Sequence, residues 1–411
     1  MGDKGLFDSV AERFHTNRYT VYLALLLFLY AIFHLVMNYF MGLQVDEANW
    51  LMQTKNLQAG YFFHPPFVVY ELFVISNVFG ESTLALRMGS LLFTLGSLIL
   101  IYDLSLEMFK DRKWAWMITA VITLLPITNY WLTLANQDPP FFFFNLLTAL
   151  FIWRAIDRDR RSYWYLAGIS AGFMLLCKLQ AVIVLPRLFL FLLISEKNRH
   201  WLRKKEPYLC FGIVVLMFLP TFLWYASHRF EPITYQLSSR PGFVNNSLLE
   251  YISFVLKHIA KEMVVLSPFV YLLSIFGMIY GCYLGYFRKG ENDTRFQLLF
   301  WLSAPAIIFF TLTGGPPYWS VPGHFISLIA VSGALPLLLS RTSRQSIKRW
   351  WRPAFIILFI LPSLAFTMGT MLIAGGDHIQ NDWKPLAEKV TEAREEMGGE
   401  EVYMAGPYYF I

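Results

Sequence analysis

Val45-Asp46-Glu47-Ala48-Asn49-Trp50 and, shortly after it, Gly60-Tyr61-Phe62-Phe63-His64-Pro65-Pro66 follow directly on the first long apolar run of the chain. Two adjacent carboxylates thus stand where an apolar helix ends. A charge placed there must reach water or a partner, so Asp46 and Glu47 lie at a membrane surface or in a cavity opening onto it. The plain reading of such a pair is a solvated helix end, the commoner fate of an acidic residue at an interface. What favours chemistry is the company the pair keeps along the rest of the chain.

Hydrophobic residues make up 56% of the 411 and charged residues only 15%, with a mean hydropathy of +0.47. A soluble globular domain does not have that balance, and a polytopic helical membrane protein does. The net charge of +6 does not point to nucleic acid, because the basic residues sit in short blocks between apolar runs, where they set orientation. Cys177, Cys210 and Cys282 all lie in or beside apolar runs, so no disulfide framework is indicated. The run at about 19–41 is long enough to span and lacks a small-residue cleavage site, which makes it a first transmembrane helix rather than a removed leader.

Residues 1–18 read as a short amphipathic lead on the cytoplasmic surface. Residues 46–80 are too polar at their start and too broken by Pro65-Pro66 for one span, and read as two helices lying along the outer interface, the first opened by Asp46. Further crossings are expected at about 82–109, 114–134, 141–153, 207–225, 263–287, 296–312, 319–340 and 353–373. The run 163–194 is broken near its middle by Lys178-Leu179-Gln180 and reads as two short crossings that meet outside. This makes about eleven spans, with large external segments at 45–81 and 227–262. Most of the 34 lysines and arginines fall in the lead and the inner loops, which puts the N-terminus in the cytoplasm and the C-terminus outside. Residues 1–374 therefore form a mostly α transmembrane domain. Residues 375–411 read as the start of an external α/β domain, with a helix at 383–397 and a strand at 401–410 inside which the given sequence stops, the mark of a truncated domain.

With that topology, Asp46, Glu47, His64, Asp138, Lys178, Arg240 and the stretch Tyr318-Trp319 to His324 all fall on the external side, though few are close in sequence. Convergence of acidic, basic and aromatic groups on one face is what an active site at the membrane surface requires. Lys178, between two apolar runs with no acidic residue near it in sequence, calls for a partner such as a lipid phosphate; its plain alternative is snorkelling to the interface. Arg240 could serve the same anion with its fork of donors.

The chain resembles the GT-C glycosyltransferases, in particular the bacterial family related to protein O-mannosyltransferases and to the aminoarabinose transferase that modifies lipid A. The resemblance rests on Asp46-Glu47, on Gly60-Tyr61-Phe62-Phe63-His64-Pro65-Pro66, on Ala135-Asn136-Gln137-Asp138-Pro139-Pro140-Phe141, on Leu176-Cys177-Lys178-Leu179-Gln180-Ala181-Val182 and on Tyr318-Trp319-Ser320-Val321-Pro322-Gly323-His324. It implies a sugar donor on a polyprenyl phosphate, an acceptor that is a glycan, a lipid or a protein, a catalytic acidic residue in the first external loop, and a place in the plasma membrane with the active site outside. Phe63 and Gln137 stand where relatives often carry an acidic residue and a threonine, which weakens the case for a divalent metal, for which Asp46 and Asp138 would be the ligands. In this reading Asp46 is the general base that takes the acceptor's hydroxyl proton. Glu47 and Asp138 orient the acceptor, and His64, Lys178, Arg240, Tyr61, Tyr318 and His324 bind substrate. The rival reading is a transporter or flippase. It predicts charges near the bilayer midplane within repeated halves, and no repeat is present.

Overall fold

The computed structural model describes residues 18–238, 247–288, 293–343 and 345–369, with short helical pieces within 389–396. The basic lead, Arg240 and the expected strand at 401–410 lie outside the described residues. Among the described residues all regular structure is helical.

The chain enters with α1 (Arg18–Phe40), whose apolar surface is almost all outward. Two helices then occupy the first loop, α2 (Val45–Gln53) and α3 (Phe67–Phe79), as expected, with α3 ended by Gly80 at φ 84°. A short α4 (Thr83–Leu86) runs into α5 (Met88–Phe109) as one long apolar span. The third expected crossing is broken: α6 (Arg112–Thr123) and α7 (Pro126–Asn129) belong to segments bent by 66°. The cause is local. Pro126 has no N–H for the helix ladder, and within an apolar bundle the freed carbonyls need other donors. Asn129 supplies one, its Nδ2 donating to the Thr123 carbonyl at 2.7 Å and also to the Leu125 carbonyl at 2.9 Å, which accepts from the Thr128 and Asn129 N–H groups as well. Tyr30 and His34 of α1 brace the same corner through Thr128 and Asn129.

α8 (Asp138–Asp157) opens on Asp-Pro-Pro, prolines being suited to a first turn, where no backbone N–H is required. α9 (Ser162–Cys177) and α10 (Ala181–Ile194) are shorter apolar helices at the positions of the two short crossings expected around Lys178. Next come α11 (Glu206–Ser227), α12 (Glu231–Ser238) and the amphipathic α13 (Leu248–Leu266) of the long polar insertion. α14 (Pro268–Cys282), α15 (Thr294–Thr313), α16 (Val321–Arg341) and α17 (Gln345–Phe355) complete the bundle. Among the described residues, eight helices are long and apolar enough to cross a membrane alone, and the bent pair makes a ninth. α9 and α10 coincide with the remaining two crossings of the sequence reading.

One end of the bundle carries the first loop. There α11 grips the segment between α2 and α3: Thr221 donates to the Ala59 carbonyl at 2.7 Å and Trp224 Nε1 to Gln58 Oε1 at 3.0 Å. Gly60 must be glycine for this fit, since a Cβ there would lie 2.7 Å from the Trp224 ring. At the other end Glu107 of α5 pairs with Arg154 and Arg158 of α8, which places part of the basic blocks opposite the first loop.

Candidate active site

The position of Asp46 is fixed by its neighbour. Glu47 Oε1 accepts from Arg87 Nε at 2.7 Å and from the Ala135 N–H at 2.7 Å. Its Oε2 accepts from Arg87 Nη2 at 2.6 Å and from the Gln44 N–H at 2.8 Å. Both side chains are fully buried. Four hydrogen bonds use up the acceptor sites of a carboxylate, so Glu47 serves as the anchor of α2. That differs from the sequence expectation, in which Glu47 faced the acceptor. Because adjacent side chains on a helix point different ways, anchoring Glu47 turns Asp46 outward, where it is exposed at the wall of a cavity of about 490 Å³.

Trp50 and His64 of the first loop, Gln137 ahead of α8, and Tyr318 and Trp319 ahead of α16 share that cavity with Asp46. Tyr318 stacks on Trp131, ring centroids 4.5 Å apart. His64 Nε2 lies 3.2 Å from the Gln137 amide nitrogen, and its ring lies 5.2 Å from Trp50. Burial, with the charge of Lys178 adding to it, pushes the His64 imidazole down to about 3, so it is neutral at ordinary pH.

Behind this wall lies a buried ion pair. Lys178 Nζ donates to Asp138 Oδ1 at 2.7 Å, and Trp131 Nε1 donates to Asp138 Oδ2 at 2.8 Å. The backbone N–H of Asp138 is held in turn by Asn136 Oδ1 at 2.8 Å. The Lys178 ammonium also lies 5.2 Å from the Tyr318 ring centroid and 5.6 Å from that of Trp319. Lys178, which in the sequence calls for a partner such as a lipid phosphate, finds an acidic one within the chain, Asp138, 40 residues away.

Other expected site residues are placed elsewhere. Tyr61 accepts from the Gln58 N–H and donates to the Asn56 carbonyl, so its hydroxyl knits the loop. His324 is buried in α16, with Nδ1 2.7 Å from Ser274 Oγ and its ring 5.2 Å from that of Tyr271, in the helix core and apart from the cavity. Trp50, Trp131 and Gln137 were not singled out as site residues from sequence; a tryptophan at a span end reads as an interfacial belt. Among the described residues no group of three or more His, Cys, Asp or Glu is arranged to hold a metal ion. Asp138 is engaged by Lys178 and Trp131, one donor on each oxygen.

The sequence profile described as dolichyl-phosphate-mannose-protein mannosyltransferase matches residues 63–224. A lipid A galacturonosyltransferase of Rhizobium johnstonii is 21% identical over 363 residues, 85% of this chain and 72% of that protein. An undecaprenyl phosphate-α-4-amino-4-deoxy-L-arabinose arabinosyl transferase of Pseudomonas aeruginosa is 26% identical over 216 residues, 47% of this chain and 38% of that one. In fold, the chain is similar to the crystal structure of ArnT from Cupriavidus metallidurans bound to undecaprenyl phosphate, with TM-score 0.58 and 13% identity over 82% of this chain and 63% of that one. It thus spans less than two thirds of the arabinosyl transferase and of the ArnT chain. The chain is a multi-pass membrane protein of GT-C fold, similar over part of its length to protein mannosyltransferases and over more of it to lipid A glycosyltransferases.

Proposed function

We propose that the chain is a glycosyltransferase that moves a sugar from a polyprenyl-phosphate donor to an acceptor at the outer face of the plasma membrane. The carrying observation is that Asp46 lines an aromatic-walled cavity backed by the Lys178–Asp138 pair. In this reading the acceptor hydroxyl attacks the anomeric carbon as the bond to the donor phosphate breaks, with inversion at that carbon. Asp46 takes the hydroxyl proton, and the polyprenyl phosphate departs as an anion. Asp138 holds Lys178 behind the cavity wall. The ammonium is close enough to depress His64 by its charge, and the same field favours a phosphate that gains negative charge in the transition state. Neutral His64 and the Gln137 amide supply hydrogen-bonding groups at the wall, and Trp50, Tyr318 and Trp319 supply flat apolar faces for a sugar ring. Relatives whose names specify lipid A or an undecaprenyl-phosphate sugar support this class of donor and acceptor.

The experiment is to incubate the purified protein with a panel of radiolabelled polyprenyl-phosphate sugars and several lipid and glycan acceptors. Consumption of one donor, with release of polyprenyl phosphate, is expected. A full panel left unconsumed while the protein moves an intact lipid-linked sugar across vesicles would overturn the reading in favour of transport.

A further inference from the structure

Outside the site just described, the most heavily engaged buried carboxylate of the long polar insertion is Glu262. It is fully buried near the end of α13. Its carboxylate accepts from Thr311 Oγ1 at 3.1 Å, and the side chains of Ser320 and Tyr271 lie beside it, the Ser320 hydroxyl donating to the Pro317 carbonyl at 3.4 Å. Those three hydroxyls belong to the last turn of α15, the residue that begins α16 and the first turn of α14. The nearest basic group is His258 Nε2, one turn back, at 3.6 Å. A buried carboxylate whose partners are hydroxyls is costly where an apolar side chain would fill the space. What it adds is acceptor capacity, used here by Thr311 at the end of α15.

That point is the root of the segment that carries Tyr318 and Trp319. The segment leaves α15 through Gly314 at φ 79° and Gly315 at φ 120°, both in the region that favours glycine. Neither turn has slack: a Cβ on Gly314 would lie 2.4 Å from Phe254 of α13, and one on Gly315 would lie 2.8 Å from the Trp319 ring. Pro316 and Pro317 follow. On the far side, the Trp319 carbonyl accepts from Gln180 Nε2, two residues after Lys178. The aromatic arm is thus held at Trp319 from the α9–α10 break, and Glu262 holds its root through Thr311, three residues before Gly314.

We propose that Glu262 is a positioning residue that fixes the Tyr318–Trp319 arm against the cavity and so sets the affinity for the sugar-bearing lipid donor. The proposal rests on the function proposed above and assigns to α13, a helix of the long polar insertion, control of one wall of the site. Glu262 touches no substrate; it acts through Thr311 on the turn at Gly314 from which the arm departs.

The test compares the full chain in lipid nanodiscs with Glu262→Leu and Glu262→Gln. Two quantities are read: hydrogen exchange of peptides spanning 314–321, and KM and kcat for the consumed donor. Glu262→Leu is expected to speed exchange in 314–321 selectively and to raise KM about tenfold with kcat changed less than about threefold, the scale of a misplaced binding wall. Glu262→Gln keeps an amide oxygen to accept hydroxyl donors and should restore most of the parental KM. Parental exchange in 314–321 in the leucine variant overturns the proposal. So does a loss confined to kcat and thermal midpoint with KM unchanged. If the parent consumes no polyprenyl-phosphate sugar, the proposed function fails, while the exchange comparison still decides whether Glu262 holds the arm.

Discussion

Lys178 and Asp138, 40 residues apart in sequence, meet at 2.7 Å with both side chains buried. Removing either partner leaves an uncompensated charge in an apolar setting, so Asp138→Asn and Lys178→Met should each cost about 3–5 kcal/mol of stability. The double variant should cost less than the sum, because the charge that each single change strands is then absent. Unfolding of the four proteins in one detergent measures this; additive losses would mean the pair is not coupled. On the proposed function, Lys178→Met should in addition weaken binding of the donor phosphate.

Glu47 and Asp46 are adjacent but should behave differently. Glu47→Gln disturbs a fully buried pair with Arg87 and should lower stability by about 3 kcal/mol, with activity falling in step with the folded fraction. Asp46→Asn changes an exposed cavity residue and should leave the thermal midpoint near that of the parent. Thermal unfolding by tryptophan fluorescence separates the two.

His64 gives a pH signature of known sign. Its folded imidazole binds a proton only near pH 3, whereas the unfolded group does so near the ordinary value of 6.5. Between those limits the unfolded chain holds more protons, so stability falls as pH is lowered from about 6.5 toward 3 and is insensitive to this group above 7. His64→Gln should make the stability profile flatter between pH 6.5 and 5 than the parent's. Parallel profiles would show that His64 is protonated in the folded protein.

Orientation is tested by labelling on a background free of the three native cysteines. Asn56 in the first loop and Asp159 after α8 are both exposed. A cysteine at 56 should react with a membrane-impermeant thiol reagent in intact cells, and one at 159 should not, because the loop holding Arg158, Arg160 and Arg161 is basic. The opposite pattern would place the cavity in the cytoplasm.

The sequence made the bundle legible because an apolar run bounded by charge has few other solutions. The break at 178–180 was visible for the same reason: a lysine inside a span would need help, and the helices do stop at Cys177 and resume at Ala181. What the sequence withheld were pairings across long separations. Nothing local to Lys178 names Asp138, and nothing local to Glu47 names Arg87, 40 residues on. His324 was misplaced for a related reason. It shares a stretch with Tyr318 and Trp319, but α16 begins between them and the first turn carries the histidine into the core. The role of α13 was hidden too, because Glu262 looks solvated in a long polar insertion until Thr311 is brought against it.

The central claim is that the Asp46 carboxylate takes the acceptor's proton. The most direct measurement is single-turnover transfer from the consumed polyprenyl-phosphate sugar by parent and Asp46→Asn, beside donor affinity by titration. An amide cannot accept that proton, so transfer should fall by about 10²–10⁴-fold while donor affinity stays within about threefold, since Asp46 acts on the acceptor. A transfer rate for Asp46→Asn within a few-fold of the parent would contradict the account.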